Sequence, residues 1–153
     1  MRRNAWLFGV VLLAACDSVL ESVRQEEKWK EQQIHDYQFV YRELCFCGFT
    51  GPNPALVTVH NDQVVKVENP ISSISGGVPT NGYPTVDSLF ARIASAKVRG
   101  AATVEVSYDD RYAFPKSIFI DDETNTADDE VTYKIENFVT LSPSLEKVLS
   151  ERH

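Results

Sequence analysis

The sequence predicts an α+β fold in which an antiparallel sheet of about six strands carries helices on one face. Segments with apolar residues at helical spacing alternate with segments of period-two alternation, in the order α-βββ-α-βββ followed by a short terminal helix. Strands that alternate apolar and polar residues are typical of antiparallel sheets with one buried face. The length of 153 residues is that of one ordinary domain.

The first sixteen residues have the organisation of a bacterial secretion signal. Arg2 and Arg3 precede an apolar stretch over residues 5–13. A membrane-spanning helix needs about 20 apolar residues, and this stretch is roughly half as long. Residues 13–16, Leu-Ala-Ala-Cys, resemble a lipobox. An ordinary secretory signal fits less well, because Leu13 stands where a small residue is preferred. We therefore expect residues 1–15 to be a lipoprotein signal peptide.

The lipobox resemblance implies that Cys16 becomes the N-terminus and carries a diacylglyceryl group and an acylated amine. One acyl chain binds a membrane only marginally, at about 0.8 kcal/mol per buried methylene, so more than one chain is expected to give a stable anchor. The domain would then face the periplasm or the cell exterior. Asp17 resembles an inner-membrane retention signal of some Gram-negative bacteria, a rule that varies between lineages.

The composition is acidic, with a net charge of −7 that becomes more negative when Arg2 and Arg3 leave with the signal peptide. There is no basic stripe, which excludes nucleic acid as a partner. An anionic membrane surface would repel such a domain. We expect membrane attachment through lipidated Cys16, an unidentified envelope protein as partner, and no cofactor.

Residues 16–24 are predicted to be a tether, with continuation of the following helix as the alternative, and residues 25–153 a single domain. The segment from Glu21 to about Ile34 is rich in Glu, Gln, Lys and Arg, which favour helix. Trp29 is its main apolar anchor. This pattern predicts a surface helix fixed to the domain by one large side chain.

Three strands are predicted next, beginning with Tyr37 to Phe49, where aromatic and β-branched residues are enriched. Alternation puts one set of its residues on one face (Tyr37, Phe39, Tyr41, Cys45, Cys47) and another set on the opposite face (Val40, Leu44, Phe46). Residues 56–60 and 63–68 form the second and third strands. Asn61 and Asp62 between them predict a two-residue hairpin turn.

The second half begins with a long loop over residues 69–84, which is uncommon without a function or mobility. Thr85 is the predicted N-cap of the most strongly patterned helix, and Gly100 ends it. Strands are predicted around residues 103–108, 118–120 and 131–135. Ser142 and Pro143 predict the start of a short terminal helix.

Cys45 and Cys47 remain as a pair if Cys16 carries lipid. In an oxidising compartment two thiols tend to pair. Residues two apart in a strand have Cα atoms about 6.5 Å apart, near the upper limit for a disulfide. Three interpretations stay open: a strained structural disulfide, two buried reduced thiols, or a soft-metal or redox role.

Acidic residues cluster in two segments, residues 108–115 and 120–130. Clustered carboxylates suit a hard cation such as calcium, and Asp109, Asp121 and Asp128 are the candidate ligands. The EF-hand template fails, because counting from Asp121 the sixth position is Thr126 and the twelfth is Thr132. The favoured interpretation is a pair of hairpin loops whose Asp and Asn side chains cap turns. Paired catalytic carboxylates are a third possibility.

Several segments resemble an uncharacterised bacterial lipoprotein family catalogued only as a domain of unknown function. The strongest lie between Tyr108 and Tyr133 (Tyr108-Asp109, Phe114-Pro115, Ile118, Ile120-Asp121 and residues 127–130), with further similarity around Trp29, residues 37–39, the two cysteines and residues 85–90. Ala113 stands where glycine is expected, and Asn61-Asp62 where Asp-Gly is expected. The resemblance implies an envelope lipoprotein and assigns no catalytic residues.

The sequence contains no nucleophile-elbow or phosphate-loop motif. We therefore expect a lipid-anchored, non-enzymatic binding or interaction module that presents its sheet or the loop over residues 71–84 to an envelope partner. The alternative is a protein that binds a cation or small ligand through Asp109, Asp121 and Asp128. A hydrolase using paired carboxylates is the least favoured hypothesis.

Overall fold

The computed structural model describes residues 11–46, 51–71, 78–124, 126 and 129–141, with backbone only for residues 11–18. Cys47, Asp128 and the predicted terminal helix after Ser142 lie outside the described residues. The described elements are α1 (Val11–Glu31), β1 (Tyr37–Cys45), β2 (Ala55–His60), β3 (Gln63–Glu68), α2 (Val86–Arg99), β4 (Thr103–Tyr108), β5 (Pro115–Asp121) and β6 (Val131–Thr140). This order confirms the predicted α-βββ-α-βββ pattern.

The six strands form one antiparallel sheet in the order β3-β2-β1-β6-β5-β4. Each half of the chain is a meander, and α2 carries the chain from one sheet edge to the other. The first and last strands therefore pair at the centre, where Tyr41 lies opposite Ile135 and Cys45 opposite Val131.

Both helices pack on the same face of the sheet. Trp29 of α1 contacts Tyr37 of β1 edge to face, with ring centroids 5.5 Å apart. Phe90 of α2 stacks on Tyr108 of β4 at 6.2 Å. Tyr37, Phe39 and Tyr41 are fully buried on this face, which confirms the predicted alternation of β1. The core lies between the helices and this face.

Helix α1 is longer than predicted. It begins at Val11 and continues to Glu31, so the residues assigned to a tether, 16–24, are helical. Neither glycine nor proline, the two strongest helix breakers, interrupts the segment 11–24. The helix therefore runs without a break from Val11 into the domain.

The ends of α2 follow the sequence signals. Thr85 is the N-cap, and its hydroxyl accepts a hydrogen bond from the backbone N–H of Ser88 at 3.2 Å. The N–H of Val86 donates to the hydroxyl of Tyr37 at 3.0 Å, which ties the start of the helix to the central strand. Gly100 ends the helix at φ 78°, the left-handed conformation that favours glycine.

Ala113, in the turn between β4 and β5, occupies a conformation that normally calls for glycine, at φ 63°. A left-handed backbone costs a residue with a Cβ about 1–2 kcal/mol. Glycine gives up about 0.5–1 kcal/mol in unfolded-state entropy. We therefore expect Ala113→Gly to raise the free energy of unfolding by roughly 0.5–1 kcal/mol in urea titration. A decrease of the same size in the free energy of unfolding would show that the buried methyl group of Ala113 stabilises the fold by more than the backbone strain costs.

Candidate functional site

The sheet face opposite the helices has no covering element among the described residues. Its half-buried side chains alternate with fully buried ones along β2 and along the first six residues of β1. Leu44 of β1 lies opposite Thr132 of β6, and Thr132 lies opposite the half-buried Phe119 of β5. Leu44 is 49% exposed and Phe46, just past the end of β1, is 87% exposed. We call Leu44, Phe46 and Phe119 the open-face patch.

A charged pair borders the open-face patch, since Arg42 and Glu136 approach to 3.5 Å across β1 and β6. Further along the same face, Gln38 donates to the hydroxyl of Thr58 at 2.9 Å. Protein interfaces have this composition, with apolar and aromatic residues at the centre and a polar rim. Larger exposed apolar patches with a polar rim mark interaction sites, whereas apolar side chains scattered singly are normal on a protein surface.

The end of β1 that carries the patch is held by several contacts. The amide side chain of Asn53 accepts a hydrogen bond from the backbone N–H of Glu43 at 3.1 Å and donates to its carbonyl. Cys45 is disulfide-bonded, while its predicted partner Cys47 lies outside the described residues. Leu44 is therefore presented from a fixed strand and not from a free loop.

An aromatic cluster lies behind this end of β1, on the helix-covered face. Tyr41 stacks on Tyr133 at 6.3 Å and meets Tyr83 edge to face at 6.1 Å. The guanidinium of Arg92 lies 4.9 Å from the centre of the Tyr133 ring. Burial raises the pKa of Tyr41, Tyr83 and Tyr133 above the ordinary value, so these phenols stay protonated near neutral pH. The cluster supports the strand and offers no ready base.

The candidate cation ligands are not brought together. Asp109 follows β4 at the turn between β4 and β5, while Asp121 ends β5 at the other end of the same hairpin, about 20 Å away. They cannot bind one ion. The Asp109 carboxylate accepts hydrogen bonds from the N–H groups of Arg111 and Tyr112 at 2.9 and 2.8 Å, as the turn-capping interpretation expects. Asp128 lies outside the described residues.

The acidic connection between β5 and β6 contains two carboxylates with an unusual environment. One oxygen of Asp121 and one of Asp129 are buried without a hydrogen-bond partner among the described residues. The other oxygen of Asp129 accepts from the N–H of Glu123 at 2.8 Å. The described residues contain no group of three His, Cys, Asp or Glu side chains placed to hold a metal ion.

Two pairs of histidine and aspartate, which the sequence did not predict, lie near the start of β1. His35 lies 2.8 Å from Asp62, and His60 lies 2.6 Å from Asp36. The pairs join the α1–β1 connection to the turn between β2 and β3. At their exposure each is worth less than about 1 kcal/mol. The hairpin turn predicted at Asn61 and Asp62 could have suggested a contact there, but not its partners.

A charged groove of about 460 Å³ separates α1 from the turn between β4 and β5. Its walls carry both signs of charge, from Lys28 and Glu31 on the helix and Asp110 and Arg111 on the turn. Ligand pockets are mostly apolar with few polar groups, so this groove is a poor match for a small apolar ligand.

Within the described residues, no helix has the length and hydropathy needed to cross a membrane. Residues 21–140 match DUF6174, a family of unknown function, and the chain therefore belongs to that family. No curated protein and no solved structure matches the chain.

Proposed function

We propose that this member of DUF6174 is a lipid-anchored cell-envelope protein that acts as a non-enzymatic interaction module. In this proposal Cys16 carries the acyl chains, and the open-face patch binds an envelope protein. The observation that carries the proposal is the uncovered sheet face with Leu44 and Phe46 exposed at its end. The lipobox sequence at residues 13–16 supports the membrane attachment.

The patch has the properties expected of an anchor for a protein partner. Leu44 sits on a hydrogen-bonded central strand, so little conformational entropy would be lost when it binds. Phe46 offers a large apolar ring, and aromatic side chains are enriched among residues that dominate binding energy. The polar pair Arg42–Glu136 would form part of the rim.

Site-specific photo-crosslinking in intact cells tests the proposal. A photoreactive phenylalanine analogue placed at the position of Leu44 is expected to form one dominant adduct with an envelope protein. The same analogue at Val98 is the matched control, because Val98 is 88% exposed but lies on α2, on the helix side of the sheet. Equal adducts from both positions, or none from position 44, would refute binding through the open face.

A cation-binding function is the second candidate, favoured by the buried unpartnered oxygens of Asp121 and Asp129. Extracellular calcium sites have dissociation constants of about 10⁻⁴–10⁻³ M. Calcium at a few times that concentration should raise the melting temperature by about 2–4 °C. Asp121→Asn should remove the shift, whereas Asp109→Asn should leave it. An unchanged melting temperature in the unsubstituted protein would eliminate this candidate.

A further inference from the structure

The N-terminal turns of α1 carry a second group of exposed apolar side chains. Val19, Leu20 and Val23 are 48%, 57% and 46% exposed. Residues spaced three and four apart lie on one side of a helix, so these three side chains form a continuous stripe, here called the α1 stripe. An amphipathic helix normally turns such a stripe towards the core, and this one is left in solvent.

The domain packs against a different side of the same helix. The hydroxyl of Ser22 lies 2.5 Å from Nζ of Lys97 on α2 and 2.9 Å from the hydroxyl of Tyr108 on β4. Trp29, seven residues further on, is buried on this side. At 3.6 residues per turn, the α1 stripe lies about 120° around the helix from the line joining Ser22 and Trp29. It therefore points away from the domain.

The α1 stripe has defined ends. Glu26 and Glu27 occupy the next positions after Val23 on the same side, and Glu26 pairs with Lys30 at 2.5 Å. In the other direction, position 16 lies three and four residues before Val19 and Leu20, within the same helix. The α1 stripe thus begins about one helical turn after position 16 and ends at Val23, about 10 Å along the helix from that position.

We propose that the α1 stripe lies in the interface of the phospholipid bilayer that holds the acyl chains. This inference rests on the proposed lipid anchor at Cys16. Apolar side chains of an interfacial helix reach about 5–10 Å into the boundary between headgroups and acyl chains. The chain is acidic, with a net charge of −7, and anionic headgroups repel it, so the contact is confined to the stripe.

This contact gives the domain a fixed orientation on the membrane. Acyl chains alone would leave it free to rotate about a single point. Because α1 continues without interruption from Cys16 to Glu31 and is packed through Trp29, a second contact one and two turns along the helix orients the whole domain. The acidic positions at Glu26 and Glu27 then mark where the helix leaves the bilayer surface.

Quenching of tryptophan fluorescence by brominated lipids tests the inference. Leu20→Trp in the full lipidated protein is reconstituted into vesicles of phosphatidylethanolamine and phosphatidylglycerol brominated on the upper acyl chain. We expect its emission to lose most of its intensity. The matched control is Val65→Trp, at a site 52% exposed on edge strand β3, whose emission should be unchanged. Trp29 is buried and gives a constant background, and Trp6 leaves with the signal peptide.

The possible outcomes distinguish a failure of this inference from a failure of the proposed lipid anchor. Unquenched emission from Leu20→Trp in protein shown by mass to carry acyl chains would overturn the inference and leave the anchor intact. Emission that shifts to shorter wavelength as protein density rises, without quenching, would show a second copy covering the stripe and would also overturn it. Protein that carries no acyl chain would remove the anchor and the inference together.

Discussion

Replacing Trp29 with alanine is expected to lower the free energy of unfolding by about 3–5 kcal/mol. Trp29 is only 3% exposed and meets three aromatic rings edge to face, those of Tyr37, Phe138 and Phe114, at 5.5, 5.9 and 6.4 Å. Domains of this size are stable by about 5–15 kcal/mol. The variant should therefore unfold at much lower urea concentration.

Two further variants show whether packing explains this loss. Trp29→Phe keeps most of the apolar body and should cost less than Trp29→Ala. Val98→Ala removes an apolar side chain of α2 that is 88% exposed, and should change stability by less than about 0.5 kcal/mol. A loss of stability in Trp29→Ala no greater than in Val98→Ala would show that α1 contributes nothing to the core.

The indole of Trp29 also influences an acidic neighbour. Burial raises the pKa of Asp87, nearby Asp62 raises it further, and a hydrogen bond from Trp29 opposes the increase. A carboxyl whose pKa is raised by folding destabilises the folded state fully above its folded pKa, and this penalty disappears as pH falls through the folded pKa to below the unfolded pKa. Trp29→Phe should therefore lose more stability at pH 7 than at pH 4.

Cys16→Ala is expected to abolish acylation, because the thioether to diacylglycerol needs the thiol. Cells fed an alkyne fatty acid should label the unsubstituted protein and leave the variant unlabelled and heavier by residues 1–15. Asp17→Asn is the matched control and should keep the label. Labelling that persists in Cys16→Ala would show that Cys16 is not the acylated residue.

Periodicity along the sequence predicted the strands and α2 well, because each has one buried face. The Tyr37, Phe39 and Tyr41 alternation and the Thr85 and Gly100 caps appear in the structure as predicted. Strand neighbours could not be predicted in the same way. The pairing of β1 with β6 joins residues such as Tyr37 and Thr140, which are remote in sequence and carry no local signal for each other.

The spatial positions of residues that are remote in sequence also explain why the candidate sites differ from those predicted. Asp109 and Asp121 have similar local sequence, yet the β4–β5 hairpin puts them at opposite ends. His35 and Asp62 are 27 residues apart and meet only because β1 and β2 pair. The open-face patch was predictable in part, since alternation assigned Leu44 and Phe46 to the face opposite the core. Their exposure depends on which face the helices cover.

Affinity capture of the protein from cross-linked membranes is the most direct test of the proposed binding through the open face. Leu44→Arg is compared with Val98→Arg, an equally drastic change on the helix side. We expect one stoichiometric envelope partner with the unsubstituted protein and with Val98→Arg. Loss of an interface anchor costs about 2 kcal/mol, so capture by Leu44→Arg should weaken roughly 30-fold. Recovery of the same partner with Leu44→Arg, or of the protein alone in every case, would contradict the proposed function.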